Sequence, residues 1–276
     1  MNLRELTVKD IENMSYNEII GLVRETNRTP GGSKSVVYIS NFCALGPQKK
    51  VLDIGTSTGI TALELAQFTG CQVVGIDINE TSLAEAARRA QELHLNKIVK
   101  FQKDDAMNLS LENKSFDTVF CGNVTSLLGN REKALKEYYR VLKDNGYLAA
   151  IPMYYIKEPN QQLISDVSQA IKVNITPLYK KDWTKIFTQD LFEIFISKDF
   201  KFDELTEKQV DDFCNLILSR PHLKELSLNA KKALDNLYKK YMQLFRVNLA
   251  HMGFSILVLK KSVKDIDPEL FTSTEI

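Results

Sequence analysis

Asp53, Gly55, Gly59 and Asp77 are the residues whose types and spacing could do chemistry. Asp53 stands inside an apolar run, residues 51–54, where a carboxylate is costly unless donors or a cation meet it. Gly55 then opens a turn that closes at Gly59, and residues 60–68 follow with a helix-compatible composition. Glycines let backbone approach a ligand closely there. The first N–H groups of the next helix lack partners, so they can meet a polar or charged tail. Asp77 closes a second apolar run, 71–77, about 20 residues beyond the turn, where a carboxylate can accept both hydroxyls of a ribose. An acid at this position can also serve as a helix N-cap.

The turn reads Gly-x-x-x-Gly. It is neither the Gly-x-Gly-x-x-Gly of dinucleotide folds nor the Gly-Lys-Ser/Thr of a phosphate loop. Asp53 would repel a pyrophosphate and suits an ammonium, which speaks against a nicotinamide oxidoreductase. Together Asp53, Gly55, Ser57 and Gly59 resemble the first motif, Asp/Glu-x-Gly-x-Gly-x-Gly, of the class I S-adenosylmethionine-dependent methyltransferases, with serine for the middle glycine. Residues 138–148, Tyr-Tyr-Arg-Val-Leu-Lys-Asp-Asn-Gly-Tyr-Leu, resemble a helix–turn–strand of the small-molecule branch, similar to the ubiquinone and menaquinone biosynthesis methyltransferases. The resemblance covers residues 36–200 and 254–260.

That resemblance implies an α/β fold: a Rossmann-like, seven-stranded, doubly wound sheet whose last strand is antiparallel. It implies S-adenosyl-L-methionine as cofactor and a small molecule as methyl acceptor. Cofactor contacts would fall on Asp53, Gly55, Thr56, Ser57 and Gly59, on Asp77 and Ile78, on Asp105 and Ala106, and on Asn123. Asp104 is the alternative to Asp105 at the adenine position. No Asn-Pro-Pro-Tyr follows the fourth strand, which argues against methylation of adenine or glutamine amino groups. Two other functions stay open: a non-catalytic regulatory module that binds the cofactor, and a methyltransferase acting on protein or RNA.

No catalytic residue is nominated. Displacement at a sulfonium needs alignment and favourable electrostatics, and a base only where the nucleophile must lose a proton. His94, His222 and His251 lie apart from the motifs, and no metal-ligand spacing is present. Tyr16, Arg28, Tyr154 and Trp183 are the candidates for the acceptor pocket.

These residues need elements to place them. Expected strands are 51–54, 71–77, 98–102, 116–121, 147–153, 191–197 and 254–259, with helices between them. Residues 1–35 form a helical leader. Ser15 and Glu18 make a capping-box pattern there, and a loop, 27–32, contains Pro30, Gly31 and Gly32. The leader reads either as a lid hinged at that loop or as a packing helix. Residues 36–276 form the methyltransferase domain, with a helical insert, 203–248, broken at Arg220-Pro221. The insert is far from the glycine turn in sequence, so it is expected to serve the acceptor side alone. Residues 262–276 read as a frayed tail.

With 276 residues, 44% hydrophobic, the chain can bury a substantial core. A net charge of +1 gives no general pull towards nucleic acid. Four scattered cysteines suit a reduced, cytoplasmic protein, and no apolar run reaches membrane-span length.

Overall fold

The computed structural model describes residues 2–188 and 191–261, so the expected tail at 262–276 lies outside the described residues. The apolar runs pair into one sheet. Strand β1 (Lys50–Ile54) lies parallel between β2 (Gln72–Asp77) and β4 (Phe116–Cys121). Outside β2 lies β3 (Val99–Lys103), and outside β4 lies β5 (Leu142–Ala150), both parallel. The long β8 (Met252–Lys261) runs antiparallel to β5 on one side and to β7 (Phe192–Lys201) on the other. Chain order reverses between β1 and β4. Ligands of open α/β sheets bind at such a switch point, beyond the strands' carboxyl ends.

Among the described residues the sheet has eight strands where seven were expected. The extra one, β6 (Met153–Tyr155), continues the line of β5 along the same edge of β8 after a break at Ile151-Pro152. Proline has no N–H to give a ladder, so the strand is interrupted there and then resumes. Earlier in β5, the expected turn at Asp144–Gly146 is a bulge within the strand, with Asn145 left-handed at φ 62°.

Helices cover both faces. Helices α3 (Ser33–Phe42) and α4 (Ile60–Thr69) bury Val36, Ile39, Leu63 and Ala66 against Val73, Phe120 and Val258. Helices α6 (Arg131–Val141) and α8 (Lys180–Thr188) bury Leu135, Tyr138, Trp183 and Phe187 on the other face. Helix α5 (Glu80–Glu92) starts just after β2, with Asn79 as its N-cap.

A third core stands apart from the sheet. It joins α1 (Val8–Glu12) and α2 (Tyr16–Leu22) of the leader to α9 (Glu207–Leu218) and α10 (Leu228–Leu249) of the insert, with Ala170 of α7 (Gln161–Ile171). Ile11, Ile19 and Val23 interlock there with Cys214, Leu223, Leu234 and Tyr238. Capping boxes at Thr7/Asp10, Ser15/Glu18 and Thr206/Gln209 start three of these helices. Leader and insert, remote in sequence, are therefore one helical cap. Leu234→Ala should cost about 2–5 kcal/mol, the range for a leucine deleted from a packed core. It should also raise hydrogen exchange in α2 as well as in α9 and α10, while β1 to β5 stay protected. An α2 as protected as before would show that leader and insert do not share a core.

Candidate functional site

The glycine turn follows β1 and enters α4. Its three motif positions all take positive φ: 68° at Gly55, 49° at Ser57 and 81° at Gly59. Glycine takes such angles without strain, whereas a serine needs local support. Ser57 has it: Asn27 Nδ2 donates to its hydroxyl at 3.0 Å, and its own N–H donates to Asp77 Oδ2 at 2.9 Å. At Gly59 a Cβ would stand 2.6 Å from that of Ala86, so this glycine lets α5 press on the turn.

Asp53 is buried under the turn. The Thr56 hydroxyl donates to it at 2.6 Å, and so does the Ala62 N–H in the first turn of α4. Burial outweighs these bonds and, with the Asp77 charge adding to it, pushes the carboxyl up to about 7. No cation among the described residues pairs with Asp53. Asp77 accepts N–H bonds from Ser57 and Asn79, one on each oxygen, and burial raises it too. The Ile78 N–H also meets this carboxylate, which keeps lone-pair capacity for a further donor.

Next to Asp77, Ile78 is 71% exposed, an apolar side chain held open at the strand's end. Beyond β3, the Asp104 carboxylate is committed to the Ser110 N–H and hydroxyl and to the Asp105 N–H. Asp105 is exposed and bonds only the Met107 N–H through its side chain, so it is the freer acid. Ala106 is buried beside it. After β4, Asn123 Oδ1 accepts the Met153 N–H at 3.1 Å and ties the end of β4 to β6.

The leader lies against this turn. Thr58 donates its hydroxyl to the Glu25 carbonyl at 2.6 Å. The Arg89 guanidinium reaches the carbonyls of Arg24 (2.6 Å), Glu25 and Thr58, and pairs with Glu85 at 2.9 Å. From the insert, Arg220 binds the carbonyls of Val23 and Arg24, and His222 Nε2 lies 3.0 Å from that of Leu22. The Tyr238 hydroxyl donates to the buried Glu25 carboxylate at 2.5 Å. The insert thus reaches the glycine turn through Glu25. The 29–32 loop is fastened as well. Gly32 N–H bonds Thr29 O, Ser35 Oγ bonds Pro30 O, and a Cβ on Gly31 would strike Ser35 Oγ at 2.2 Å.

The four acceptor candidates do not converge. Tyr154 is a core residue whose hydroxyl meets Ser255 and Asp199. Trp183 is buried too, stacked on Phe187 with Nε1 on Met153 O at 2.9 Å. Both rings pack in the core on the face of the sheet that α6 and α8 cover. Arg28 is tied to Glu64 of α4 and to Ser33. Tyr16 remains: its half-buried ring packs on Phe245 (4.4 Å between centroids) and Tyr241 in the cap. His251 Nδ1 lies 3.0 Å from Val247 O, and His94 sits left-handed past the end of α5, so neither histidine approaches the turn. Sequence reasoning missed Asn27, Glu25, Arg89, Arg220 and Tyr238. Arg89 reads as one more charge on a polar helix, and nothing in the chain links Glu25 to Tyr238.

Residues 52–150 match the family described as a methyltransferase domain. An uncharacterized protein of Haemophilus influenzae is 33% identical over 170 residues, covering 61% of this chain and 68% of that one. The chain belongs to the class I S-adenosylmethionine-dependent methyltransferases. S-adenosylmethionine is the cofactor of this methyltransferase. The sterol 24-C-methyltransferase of Eremothecium gossypii is 33% identical over 112 residues, which span 41% of this chain and 30% of that enzyme. In fold, the methyltransferase is similar to the MccD protein, with a TM-score of 0.71 and 23% identity over 86% of this chain and all of that one. The site residues fit the cofactor: a buried acid without a cation suits its ammonium, and Asp77 has lone pairs for its ribose. With Asp53 titrating near 7, the free protein holds a proton there at lower pH, and an ammonium requires the carboxylate. Binding of S-adenosylhomocysteine should therefore weaken as pH falls below about 7, by up to about tenfold per unit, with proton release seen as buffer-dependent calorimetric heat. Asp53→Asn should flatten both dependences. An affinity constant from about pH 5.5 to 8 would separate the ammonium from Asp53.

Proposed function

We propose that the methyltransferase acts on a small-molecule acceptor held between the sheet's carboxyl edge and the helical cap. The observation that carries this reading is the cap itself, a roof with its own core, built by leader and insert and fastened to the glycine turn. Such a roof excludes water and leaves a chamber suited to a compact substrate rather than to a protein surface or a folded RNA. The near-neutral charge of the chain supports the same choice. So does the likeness to a sterol methyltransferase, an enzyme with a small apolar acceptor by its name.

In this reading Asp53 takes the ammonium of the donor, Asp77 its ribose, Ile78 one face of adenine, and Asp105 with Ala106 the adenine edge. Gly55, Thr56, Ser57 and Gly59 form the cradle, and Asn123 marks the methyl end. Acceptor choice belongs to parts outside the 52–150 match. A cavity of about 660 Å³ lies wholly among such parts, between the residues after α1, helix α7 and helix α10. Its walls include Met14, Ala170, Leu237, Tyr241 and Leu244, with Lys172 and Lys240 at polar positions. That volume is within the range of small-molecule sites. None of its walls belongs to a strand end or to the glycine turn, so it is a recess within the cap and not the space between cap and sheet edge.

The test is transfer of labelled methyl groups from S-adenosylmethionine to a panel of small acceptors, including isoprenoid, phenolic and amine classes. One class should be labelled. Labelling of protein or RNA, with every small molecule inert, would overturn the reading.

A further inference from the structure

Two buried side-chain oxygens have no hydrogen-bond partner among the described residues, those of Thr29 and Thr118. Thr118 lies in the middle of β4 against the Cys43 thiol, inside the sheet's core. Thr29 is placed otherwise. It is 9% exposed, and its Oγ stands 2.9 Å from where a Cβ on Gly122 would be, immediately after β4. Asn27, two residues earlier, holds Ser57 in the turn after β1. The 27–29 segment thus bridges the ends of β1 and β4, across the place where strand order reverses.

Nearby groups are already committed. The Thr29 carbonyl accepts the Gly32 N–H, Asn123 Oδ1 accepts the Met153 N–H, and the Arg28 guanidinium is held by Glu64. A hydroxyl buried without a partner is unfavourable, and a valine of the same shape would avoid it. The position therefore points to a partner that arrives from outside the chain. At the switch point that partner is the amino-acid tail of the methyl donor. With the ammonium assigned to Asp53, the tail's carboxylate still needs donors. A hydroxyl that can rotate to donate is one.

We infer that Thr29 is a binding residue for the donor's amino-acid tail, its hydroxyl donating to the tail's carboxylate. This rests on the cofactor assignment and extends it to a residue of the leader. It also gives the leader a reason to be fastened over the turn: it brings the hydroxyl to the switch point.

The experiment compares two ligands on three proteins by calorimetry, with melting temperatures alongside. S-adenosylhomocysteine carries the tail, and methylthioadenosine has the same nucleoside and thioether without it. Thr29→Val should weaken S-adenosylhomocysteine about tenfold, leave methylthioadenosine unchanged, and keep or raise the melting temperature. Thr29→Ser should restore the affinity. Equal weakening of both ligands with a lower melting temperature would make Thr29 a structural residue, and no weakening of either would remove it from the site; both overturn the inference. Failure of the unaltered protein to bind either ligand would overturn the cofactor assignment and this inference with it, a result distinct from the other two.

Discussion

The carbonyl end of α2 is the constraint on which the cap and the cofactor turn both depend. The helix stops at Leu22, and Arg24 takes a left-handed φ of 55°, so the carbonyls of residues 22–25 face away from any continuing helix. Buried carbonyls need donors. Here Arg89 supplies them from α5, Arg220 and His222 from the insert, and Thr58 from the glycine turn. The partial negative charge at a helix C-terminus favours cations there. One short helix end thereby fixes three elements relative to each other. Removing Arg220 would take away the side-chain donor of the buried Val23 carbonyl, which is more damaging than the loss of a surface ion pair.

The site works against a second constraint, the burial of two carboxylates close together. Asp53 and Asp77 both rise from their ordinary range, for the same first cause, loss of solvent. Their protein donors are backbone N–H groups and one threonine hydroxyl, none of them charged. Such a pair is poorly balanced in the free protein and better balanced beside a cation. A sulfonium-bearing amino acid brings two positive charges to one place. The surplus of negative charge thus suits this donor and disfavours a dinucleotide, in keeping with the missing second glycine of the dinucleotide motif.

Most of the sheet was legible because it rests on local patterns. Apolar runs of four to six residues ending at Gly55, Asp77 and Cys121 gave strands at those positions, and the order followed from the family resemblance. The serine for glycine at position 57 looked minor, and in three dimensions it is supported by Asn27 and Asp77. What could not be read was contact between distant segments. Tyr238 and Glu25 are far apart in the chain and meet at 2.5 Å, and no periodicity encodes that. The surroundings of Tyr154 and Trp183 were hidden for a related reason. An aromatic residue near a strand end can face the cleft or the core, and composition alone does not say which. In the fold the Trp183 indole donates to the Met153 carbonyl, just past the break at Pro152.

Fastening the leader so firmly limits how the site can open. A lid hinged at residues 29–32 would have to release Gly31 from Phe254, Ser35 from the Pro30 carbonyl, and Asn27 from Ser57. It would also have to separate Ile19 and Val23 from the insert, stripping an apolar core. That core does not have to be broken if the leader and insert move together, with the strain taken up where the insert joins the sheet. One joint is the exposed segment before α9, residues 203–206, and another is the end of α10 before β8. Along this route Tyr238 keeps Glu25 and Arg220 keeps the end of α2; the Tyr155–Asn248 bond and the Lys172 bonds to the leader must yield, as must the bonds to the turn and to α5. Those are the bonds of Thr58, Arg89 and Asn27, all of which lie at the edge of the cofactor cradle. The same few contacts thus join the cap to the cofactor cradle.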